Sequence, residues 1–350
     1  MKAFRLLEWQ KPPQLVNVDV PEPGPGQILV RVGGAGACHS DLHLMEFPPG
    51  LMPYSTPFTL GHENAGWIEK NGPGVSGFAA GDPVAVYGPW ACGRCHACLQ
   101  GLWNTCENLA EQKIRGFGLG ADGGMAEYML VPDARLLLPL RDLPPSTAAP
   151  LTDAALTPYH AIKRSLPILI PGTAAVVIGV GGLGHLAVQI LAALTPSRVI
   201  AVDRSREQLE MALILGAQHG VEAGAEAAAS IKELTGGRGA ELVLDFVGAA
   251  ETLGLAAQVG RSGGHVTQVG ISSATIPFGY YEVPTECSFL VSRWGSLPEL
   301  AEVIALAEAG RISAHITTLP LERAADAYEA LRAGSVRGRI VVVPSARPRS

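Results

Sequence analysis

The sequence predicts an α/β protein with two domains, one rich in β-strands and one built on a doubly wound parallel sheet. Three observations support this prediction. The chain has 350 residues, more than the roughly 250–300 residues at which a single core stops growing. Short apolar runs separated by proline and glycine fill the part up to about Pro150. From Thr173 onward, buried strands and helical patterns alternate, as they do in parallel sheets.

The composition is that of a folded protein without a surface for polyanions. Hydrophobic residues make up 47% and charged residues 17% of the chain, which supplies an interior and excludes disorder. Glycine and proline are frequent, with 42 and 27 residues, yet below the excess typical of low complexity. The formal net charge of −6 predicts neither a nucleic-acid partner nor an anionic membrane as partner.

One stretch is long enough to cross a membrane. Residues 171–197 lack Asp, Glu, Lys and Arg, and about 20 apolar residues suffice for a span. Glycines interrupt this stretch, however, between an apolar run at 174–178 and a helical pattern at 185–194. A buried strand, a glycine turn and a helix therefore fit better than a span. Charges within Met1–Glu8 also disfavour a signal peptide, so a cytoplasmic location is expected.

The remaining elements follow from apolar runs and from signals at helix ends. Ser205 and Gln208 form a predicted capping box that opens a helix, and Gly216 should end it. Two helical stretches follow Trp294. Strands are predicted at residues 27–32, 83–87, 174–178, 199–203, 242–245, 265–269 and 339–343.

A glycine-rich turn predicts a dinucleotide site. Residues 179–184 have the pattern G-x-G-x-x-G between a strand and a helix, and Asp203 ends the next strand 24 residues later. The first glycine makes the turn, the second lets the backbone approach a pyrophosphate, and the third permits close packing of helix on strand. A glycine turn without a ligand is the alternative. The charge of Asp203 favours NAD over NADP, although Arg204 and Arg206 could pair with a 2′-phosphate.

Four cysteines predict a structural metal site. They lie within fifteen residues, at Cys92, Cys95, Cys98 and Cys106. Closely spaced thiolates suit a closed tetrahedral zinc site in a reducing compartment. An iron–sulfur cluster is the competitor, but its usual run ends in C-x3-C-P, whereas the last gap here is seven residues. His96 is interpreted as a loop residue, and Cys287 as a buried apolar side chain.

A second group of potential ligands is dispersed along the chain. It comprises the segment from Cys38 to His43, the triplet Gly61-His62-Glu63, and Asp153. From spacing alone, Cys38 could be a buried apolar residue, His62 a core histidine and Asp153 a helix cap. These structural roles are at least as consistent with the sequence as metal ligation.

These motifs together resemble the zinc-dependent medium-chain alcohol dehydrogenases, most closely the bacterial secondary-alcohol branch. The triplet at 61–63, followed by Gly66, Gly72 and Val75, matches that family's zinc signature, and the four cysteines and the glycine turn follow in the expected order. The resemblance extends from Met1 to about Pro344. It implies a GroES-like catalytic domain at 1–154 and 296–350 with a structural zinc lobe at 92–106, and a Rossmann NAD-binding domain at 155–295.

The resemblance also implies a catalytic zinc ion held by Cys38, His62 and Asp153, with Glu63 as a possible ligand. Asp153 stands where many members have a second cysteine, and a carboxylate donates less charge than a thiolate, so the metal should be the stronger Lewis acid. The implied reaction is metal-assisted hydride transfer from an alcohol to NAD. Ser40 and His43 would carry the alcohol proton away through the cofactor ribose.

Further contacts are implied for the cofactor and the substrate. The residues implied for the cofactor are His39, Thr157, Gly179, Gly181, Gly182, Leu183, Gly184, Asp203, Arg204, Phe246, Val247, Val269, Gly270, Ile271 and Arg339. Taken alone, Arg339 could form an ordinary surface ion pair and Thr157 could bond to its own helix. The implied pocket residues Tyr54, Leu119 and Trp294 could equally be plain core.

The function predicted in this way is reversible, zinc- and NAD-dependent oxidation of primary and secondary alcohols, with secondary and aryl-alkyl substrates favoured. The expected assembly is a homo-oligomer, a tetramer or alternatively a dimer. Two alternatives stay open. A polyol or sugar dehydrogenase would keep both cofactors but needs a more polar pocket. A metal-free quinone reductase or crystallin-like protein would lack the ligand cysteines.

Overall fold

In the computed structural model, which describes residues 1–345, the chain divides into two units. The β-rich unit comprises residues 1–156, 295–309 and those from 314 onward. The parallel-sheet unit comprises residues 157–294 and 310–313. The β-rich unit is therefore assembled from segments that precede and follow the main segment of the other unit.

The first segment of the β-rich unit consists of short strands and short helices joined by turns. Its strands and α-helices are β1 (Lys2–Leu6), β2 (Gln14–Asn17), β3 (Ile28–Ala37), α1 (His39–Glu46), β4 (Phe58–Thr59), β5 (Glu63–Asn71), β6 (Pro83–Val86), α2 (His96–Leu99), β7 (Gly116–Phe117), β8 (Gly120–Ala121), β9 (Tyr128–Val131), β10 (Leu137–Pro139) and α3 (Pro145–Ala148).

The parallel-sheet unit alternates strands and helices. Its elements are α4 (Leu156–Lys163, which begins at the boundary of the units), β11 (Ala174–Ile178), α5 (Gly184–Leu194), β12 (Arg198–Asp203), α6 (Arg206–Ile214), β13 (His219–Glu222), α7 (Ala227–Leu234), β14 (Ala240–Asp245), α8 (Ala250–Val259), β15 (Gly260–Gln268) and β16 (Ser288–Val291). The strands pair in parallel in the order β13-β12-β11-β14-β15-β16. This is the 3-2-1-4-5-6 order of the doubly wound dinucleotide-binding fold.

The core of this sheet comes from branched side chains that face away from water on both sides. Val176, Ile200 and Val243 are 0% exposed, as continuous apolar runs in parallel strands require. The stretch at 171–197 forms β11, the glycine turn and α5, as predicted. Across residues 1–345, no helix combines the length and the apolar character that crossing a bilayer requires.

One predicted detail is wrong. Ser205 precedes α6, but its side chain does not cap the helix, so the predicted capping box does not form. The Ser205 N–H instead donates to Asp203 Oδ1 at 2.9 Å. The helix still ends just before Gly216, whose φ of +113° is left-handed.

The last segment returns to the sheet of the β-rich unit. It contains α9 (Leu297–Glu308), β17 (Ile316–Pro320), α10 (Ala324–Arg332) and β18 (Arg339–Val343). The main sheet has the order β10-β6-β5-β3-β18-β17, and β9 also pairs with β3. Strand β3 is therefore central, and its antiparallel pairing with β5 sets Gly36 opposite Glu63. This register places the end of β3 beside the start of β5.

Candidate zinc centres and dinucleotide site

Four potential metal ligands of the β-rich unit come together at the ends of β3 and β5. Cys38 follows β3, His62 and Glu63 lie at the start of β5, and Asp153 follows the turn at 149–152. Their ligand atoms all lie within 4.8 Å of one another. Gly36 is needed here, because a Cβ at that position would lie 1.9 Å from Glu63 Oε2. The fold thus assembles the four residues that the sequence analysis grouped.

Asp41 connects two of these residues, and the sequence analysis gave it no role. Its Oδ1 lies 2.9 Å from His62 Nδ1, and its Oδ2 accepts a hydrogen bond from the Cys38 N–H at 3.2 Å. The contact places an imidazole proton on Nδ1, while Nε2 lies 3.6 Å from Asp153 Oδ2, among the other potential ligands. The available signal was an acidic residue three positions after Cys38, in the first turn of α1.

Glu63 is held by a buried ion pair. Arg339 Nη2 donates to Glu63 Oε1, and the two side chains are 3% and 0% exposed. Glu63 Oε2 is also buried, but no side chain or backbone group of the described chain donates a hydrogen bond to it. A buried carboxylate oxygen without a donor is costly. This oxygen, together with the thiol, imidazole and second carboxylate nearby, fits a zinc ion.

The charges of the cluster shift the pKa values of its members. Burial would raise the pKa of the Cys38 thiol, but Arg339 and His62 outweigh burial and lower it to about 7. Burial would lower the pKa of His62, but Asp41 and Asp153 raise it. Burial raises the pKa of Glu63 in spite of Arg339. The cluster therefore favours a thiolate at Cys38, the form that binds metals.

The four-cysteine lobe forms a second compact cluster, with its ligand atoms also within 4.8 Å of one another. The Sγ atoms of Cys92 and Cys98 are 3.9 Å apart, and those of Cys95 and Cys106 are 4.0 Å apart. A tetrahedron of zinc–sulfur bonds separates sulfurs by about 3.8 Å. None of the cysteines forms a disulfide in the described chain. The lobe thus fits a structural zinc ion without rearrangement.

Hydrogen bonds to sulfur support the same interpretation. The Cys98 N–H points to Cys95 Sγ at 3.5 Å, and the Cys92 N–H points to Cys106 Sγ at 3.4 Å. Such donors stabilise thiolates. His96 begins α2, is exposed, and lies 3.1 Å from the Gln100 amide, away from ligation.

The glycine turn between β11 and α5 has the shape that a pyrophosphate requires. Gly179 has a φ of +86°, which favours glycine. A Cβ at Gly184 would lie 1.9 Å from Gly179 O, so the helix can pack here only without a side chain. A Cβ at Gly181 would have no atom within 4 Å. The space beside Gly181, at the N-terminus of α5, therefore fits the phosphates of NAD.

These glycines give a matched pair of variants. Gly184→Ala is expected to lower the melting temperature of the apoprotein, because the added methyl group collides with Gly179 O. Gly181→Ala is expected to leave the melting temperature of the apoprotein unchanged but to weaken NAD binding by at least about tenfold, or 1.4 kcal/mol. Thermal melting and NAD titration by calorimetry check both. Equal NAD affinity in Gly181→Ala and the natural chain would contradict the assignment of the loop.

Asp203 is fixed beside this loop. Its Oδ2 accepts a hydrogen bond from the Val180 N–H at 2.8 Å, while Ser205 bonds to the other oxygen. Arg206 lies 3.5 Å from Glu222 in an ion pair, and Arg204 is exposed. A carboxylate held at the end of β12 has the position that accepts ribose hydroxyls.

Five further predicted cofactor residues of this unit follow β14 and β15, at the carboxyl edge of the sheet. Phe246 and Val247 follow β14, and Val269, Gly270 and Ile271 follow β15. The two turns touch, since a Cβ at Gly270 would lie 2.3 Å from the carbonyl carbon of Val247. Ligands of open parallel sheets bind at this edge, where the strand order reverses between β11 and β14.

Three predicted cofactor residues lie elsewhere. Thr157 is buried at the start of α4. His39 begins α1 and is exposed, and Arg339 begins β18. The ion pair of Arg339 is buried and not at the surface, and its partner Glu63 could not be predicted because the two residues are 276 positions apart.

Ser40 and His43 belong to the predicted proton relay, and Tyr54 to the predicted substrate pocket. Ser40 and His43 are three positions apart on α1 and so share a face, and Ser40 Oγ lies 3.6 Å from Cys38 Sγ. Tyr54 is 8% exposed, and burial raises its pKa to about 12 against the influence of Arg115 and His62.

The ring of Tyr54 packs among aromatic side chains. It lies 6.0 Å from Trp9 and 5.8 Å from Phe58 between ring centres. Leu119 is half-buried. Trp294, in the parallel-sheet unit, has a φ of +46°, a left-handed conformation that is strained for a bulky residue.

Comparison with known proteins identifies the family. Residues 24–142 match the family model described as alcohol dehydrogenase GroES-like domain, and residues 182–309 match the model described as zinc-binding dehydrogenase. The chain belongs to the zinc-dependent medium-chain alcohol dehydrogenases. Together the two models cover most of the chain and every residue of the two metal clusters except Asp153.

Curated relatives of the alcohol dehydrogenase family match almost the whole chain. An NAD-dependent alcohol dehydrogenase from Sulfurisphaera tokodaii is 36% identical over 98% of this chain and 100% of the relative. A D-arabinose 1-dehydrogenase (NADP(+)) from Saccharolobus solfataricus is 35% identical over 98% of this chain and 97% of the relative. Both relatives are archaeal, whereas the sequence analysis expected the bacterial secondary-alcohol branch, which stays a prediction.

Solved structures give the same assignment. The alcohol dehydrogenase from Aeropyrum pernix superposes with a TM-score of 0.91 at 38% identity, covering 98% of this chain and 100% of that one. Acetophenone reductase from Geotrichum candidum in complex with NAD superposes with a TM-score of 0.86 at 31% identity, covering 98% and 96%. The predicted α/β fold class, the alcohol dehydrogenase family and its cofactors, NAD and two zinc ions, are confirmed.

Proposed function

We propose that this alcohol dehydrogenase interconverts secondary and aryl-alkyl alcohols and ketones, and oxidises primary alcohols to aldehydes more slowly. The ligand cluster of Cys38, His62, Glu63 and Asp153 carries the proposal, because its ligand atoms converge within 4.8 Å. We assign Cys38, His62 and Asp153 as ligands of the catalytic zinc ion, and Cys92, Cys95, Cys98 and Cys106 as ligands of the structural one.

The residues around the cluster have separate roles in this proposal. When bound, zinc acts as a Lewis acid that lowers the pKa of an alcohol oxygen, and NAD accepts the hydride. Glu63 serves as an alternative ligand that Arg339 holds back through their ion pair. We also propose that Arg339, which is 3% exposed, and the exposed His39 contact the pyrophosphate of the cofactor.

Proton removal is assigned to α1. Ser40 Oγ accepts the proton of the alcohol, and His43, on the same helix face, receives it from Ser40. General acid–base groups contribute about 10²–10⁴-fold. We therefore expect Ser40→Ala to lower kcat by about a hundredfold with zinc content and NAD affinity unchanged, and Ser40→Thr to restore much of the rate. Full turnover by Ser40→Ala in stopped-flow assays would exclude the relay.

The apolar surroundings of Tyr54 support the proposed substrate preference. Trp9 and Phe58 flank its ring. Leu119 directly precedes Gly120, where an added Cβ would lie 2.7 Å from Tyr54 Cγ. Aromatic surfaces of this kind bind apolar groups and leave sugar hydroxyls without partners. We assign Tyr54, Leu119 and Trp294 to the pocket.

Oxidation of sugars is the second candidate, because one relative is named a D-arabinose 1-dehydrogenase. The two candidates separate in a single screen of kcat/KM on 1-phenylethanol, 2-alkanols, primary alcohols, D-arabinose and sorbitol, each with NAD and with NADP. Higher kcat/KM on the sugar than on every alcohol would overturn the proposed preference. Activity that survives complete zinc removal would overturn the mechanism.

Coenzyme choice is assigned to Asp203. Its negative charge repels a 2′-phosphate, while Arg204 nearby is exposed. Asp203→Asn keeps a hydrogen-bond acceptor for the Val180 N–H and removes the charge. We expect this variant to lower the NAD-over-NADP ratio of kcat/KM by about tenfold or more. An unchanged ratio would assign coenzyme choice to another residue. Glu210→Gln, at an exposed position of α6, serves as the control for a general change of charge.

We also propose a role for each domain and a location for the enzyme. We assign residues 1–154 and 296–350 to catalysis and 155–295 to NAD binding, which the division into two units supports. Free cysteines in a zinc lobe suit a cytoplasmic enzyme.

A homo-oligomer, a tetramer or a dimer, is proposed from the exposed edge of the parallel sheet. Strand β16 is the last strand of the sheet, and Val291 on it is 81% exposed. The preceding loop exposes Phe278, Tyr280 and Tyr281 by 76%, 86% and 94%. Apolar sheet edges of this kind pair with another chain. Sedimentation equilibrium measures the mass, and a monomer at micromolar concentration would contradict the proposal.

A further inference from the structure

A tyrosine from the C-terminal segment contacts the surroundings of the metal cluster. Tyr328 lies in α10, is 1% exposed, and donates its hydroxyl to Asp41 Oδ2 at 2.9 Å. The two residues are 287 positions apart. Asp41 lies in the segment from Cys38 to His43 but was assigned no role there, Tyr328 belongs to no motif of the sequence, and the mechanism proposed above uses neither.

Asp41 is the point at which this hydroxyl can influence the metal site. Its carboxylate is 0% exposed and contacts two proposed zinc ligands, His62 through Oδ1 at 2.9 Å and the backbone of Cys38 through Oδ2 at 3.2 Å. Rotation of this carboxylate would disturb both contacts together. The Tyr328 hydroxyl, a third donor to the carboxylate and the second on Oδ2, restricts that rotation, since the plane of a carboxylate is set by its hydrogen-bond donors.

The ring of Tyr328 is held by contacts that do not involve its hydroxyl. It stacks on Phe4 with ring centres 6.0 Å apart and planes inclined by 12°. The hydroxyl also lies 3.1 Å from Met125 Sδ, a weaker acceptor than a carboxylate. Removal of the oxygen alone therefore leaves the ring in place and tests the contact with Asp41.

We propose that Tyr328 is a positioning residue for the catalytic zinc ion. Its hydroxyl fixes the Asp41 carboxylate, which in turn orients the ligand His62. This inference rests on the proposed catalytic zinc centre. Because outer partners of metal ligands change metal affinity by about 10–100-fold, and Tyr328 acts one bond further out, we expect an effect of roughly three- to tenfold on the release of zinc.

The test is a comparison of metal release from the natural enzyme, Tyr328→Phe and Met125→Leu. Purified holoenzyme is mixed with a chromophoric chelator, and the two zinc ions are followed separately by repeating the experiment with cobalt, whose absorption differs between the four-cysteine and the mixed-ligand site. We expect Tyr328→Phe to release the mixed-ligand metal roughly three- to tenfold faster. The four-cysteine metal should leave at the natural rate and so serves as an internal control.

Each other outcome contradicts the proposal. An unchanged release rate in Tyr328→Phe would show that the hydroxyl does not act on the metal. Equal acceleration in Met125→Leu would assign the effect to packing at Met125. A Tyr328→Phe chain that stays unfolded in excess zinc would show a role in folding alone. If the natural enzyme itself binds no metal at Cys38 and His62, the proposed zinc centre fails instead. That result is distinguishable because the metal content of the natural enzyme is measured before any variant is compared with it.

Discussion

Replacement of Cys38 by alanine is expected to lower kcat/KM for alcohol oxidation by roughly a thousandfold or more. The variant loses the thiolate that the surrounding charges favour, and the remaining His62 and Asp153 form an incomplete site. Lewis-acid stabilisation is worth several kcal/mol, and about 4 kcal/mol corresponds to three orders of magnitude. Metal analysis should find one zinc ion per chain in place of two, because the four-cysteine lobe lies in a different part of the sequence.

Cys287 provides the matched control for this variant. It is half-buried, belongs to neither metal cluster, and burial raises the pKa of its thiol. Cys287→Ala therefore removes a cysteine of low reactivity and should retain both zinc ions and the natural rate. If Cys38→Ala retained two zinc ions and full activity, the catalytic assignment of the whole cluster would be wrong.

Replacement of Cys106 by alanine is expected to act on stability and not on the chemistry itself. Cys106 is 4% exposed, and its Sγ accepts the Cys92 N–H. Without the fourth thiolate, zinc binds weakly, and the binding free energy of a structural zinc ion is folding free energy. A loss of about 3 kcal/mol lowers the melting temperature by about 10 °C in a unit of this size.

The measurement is thermal unfolding of Cys106→Ala beside Cys287→Ala, followed by circular dichroism, with zinc content determined on the same samples. At low temperature, where Cys106→Ala is still folded, its kcat per catalytic zinc ion should remain close to natural. A variant with the natural melting temperature and one zinc ion per chain would show that the lobe does not stabilise the fold.

Much of the architecture could be predicted because its signals are local. The buried strand at 174–178, the glycine turn after it and Asp203 at the end of the next strand all follow from patterns within about 30 residues. The four cysteines have the same property, since their spacing alone favours a closed zinc site. Such features need no knowledge of which distant segments meet.

The unpredicted features depend on long-range pairing. Asp41 lies in the predicted segment from Cys38 to His43, but only the pairing of β3 with β5 turns its carboxylate toward His62. Tyr328 and Arg339 reach the cluster from the returning segment, and nothing in their local sequence signals this. The Ser205 capping box failed for a different, local reason: Asp203, two residues earlier, accepts the Ser205 N–H that the box assigned to the Gln208 side chain.

The separation of Tyr328 and Arg339 from the ligands they support has a consequence for biosynthesis. Ribosomes release the chain from its N-terminus, so Cys38, His62 and Asp153 emerge long before β18 and α10 are made. The four-cysteine lobe closes a loop of only fifteen residues and can capture zinc while translation continues. The other centre lacks its Tyr328 and Arg339 contacts until residues 328–339 have been made. The contacts that support the four-cysteine site are thus complete earlier in synthesis than those that support the other centre.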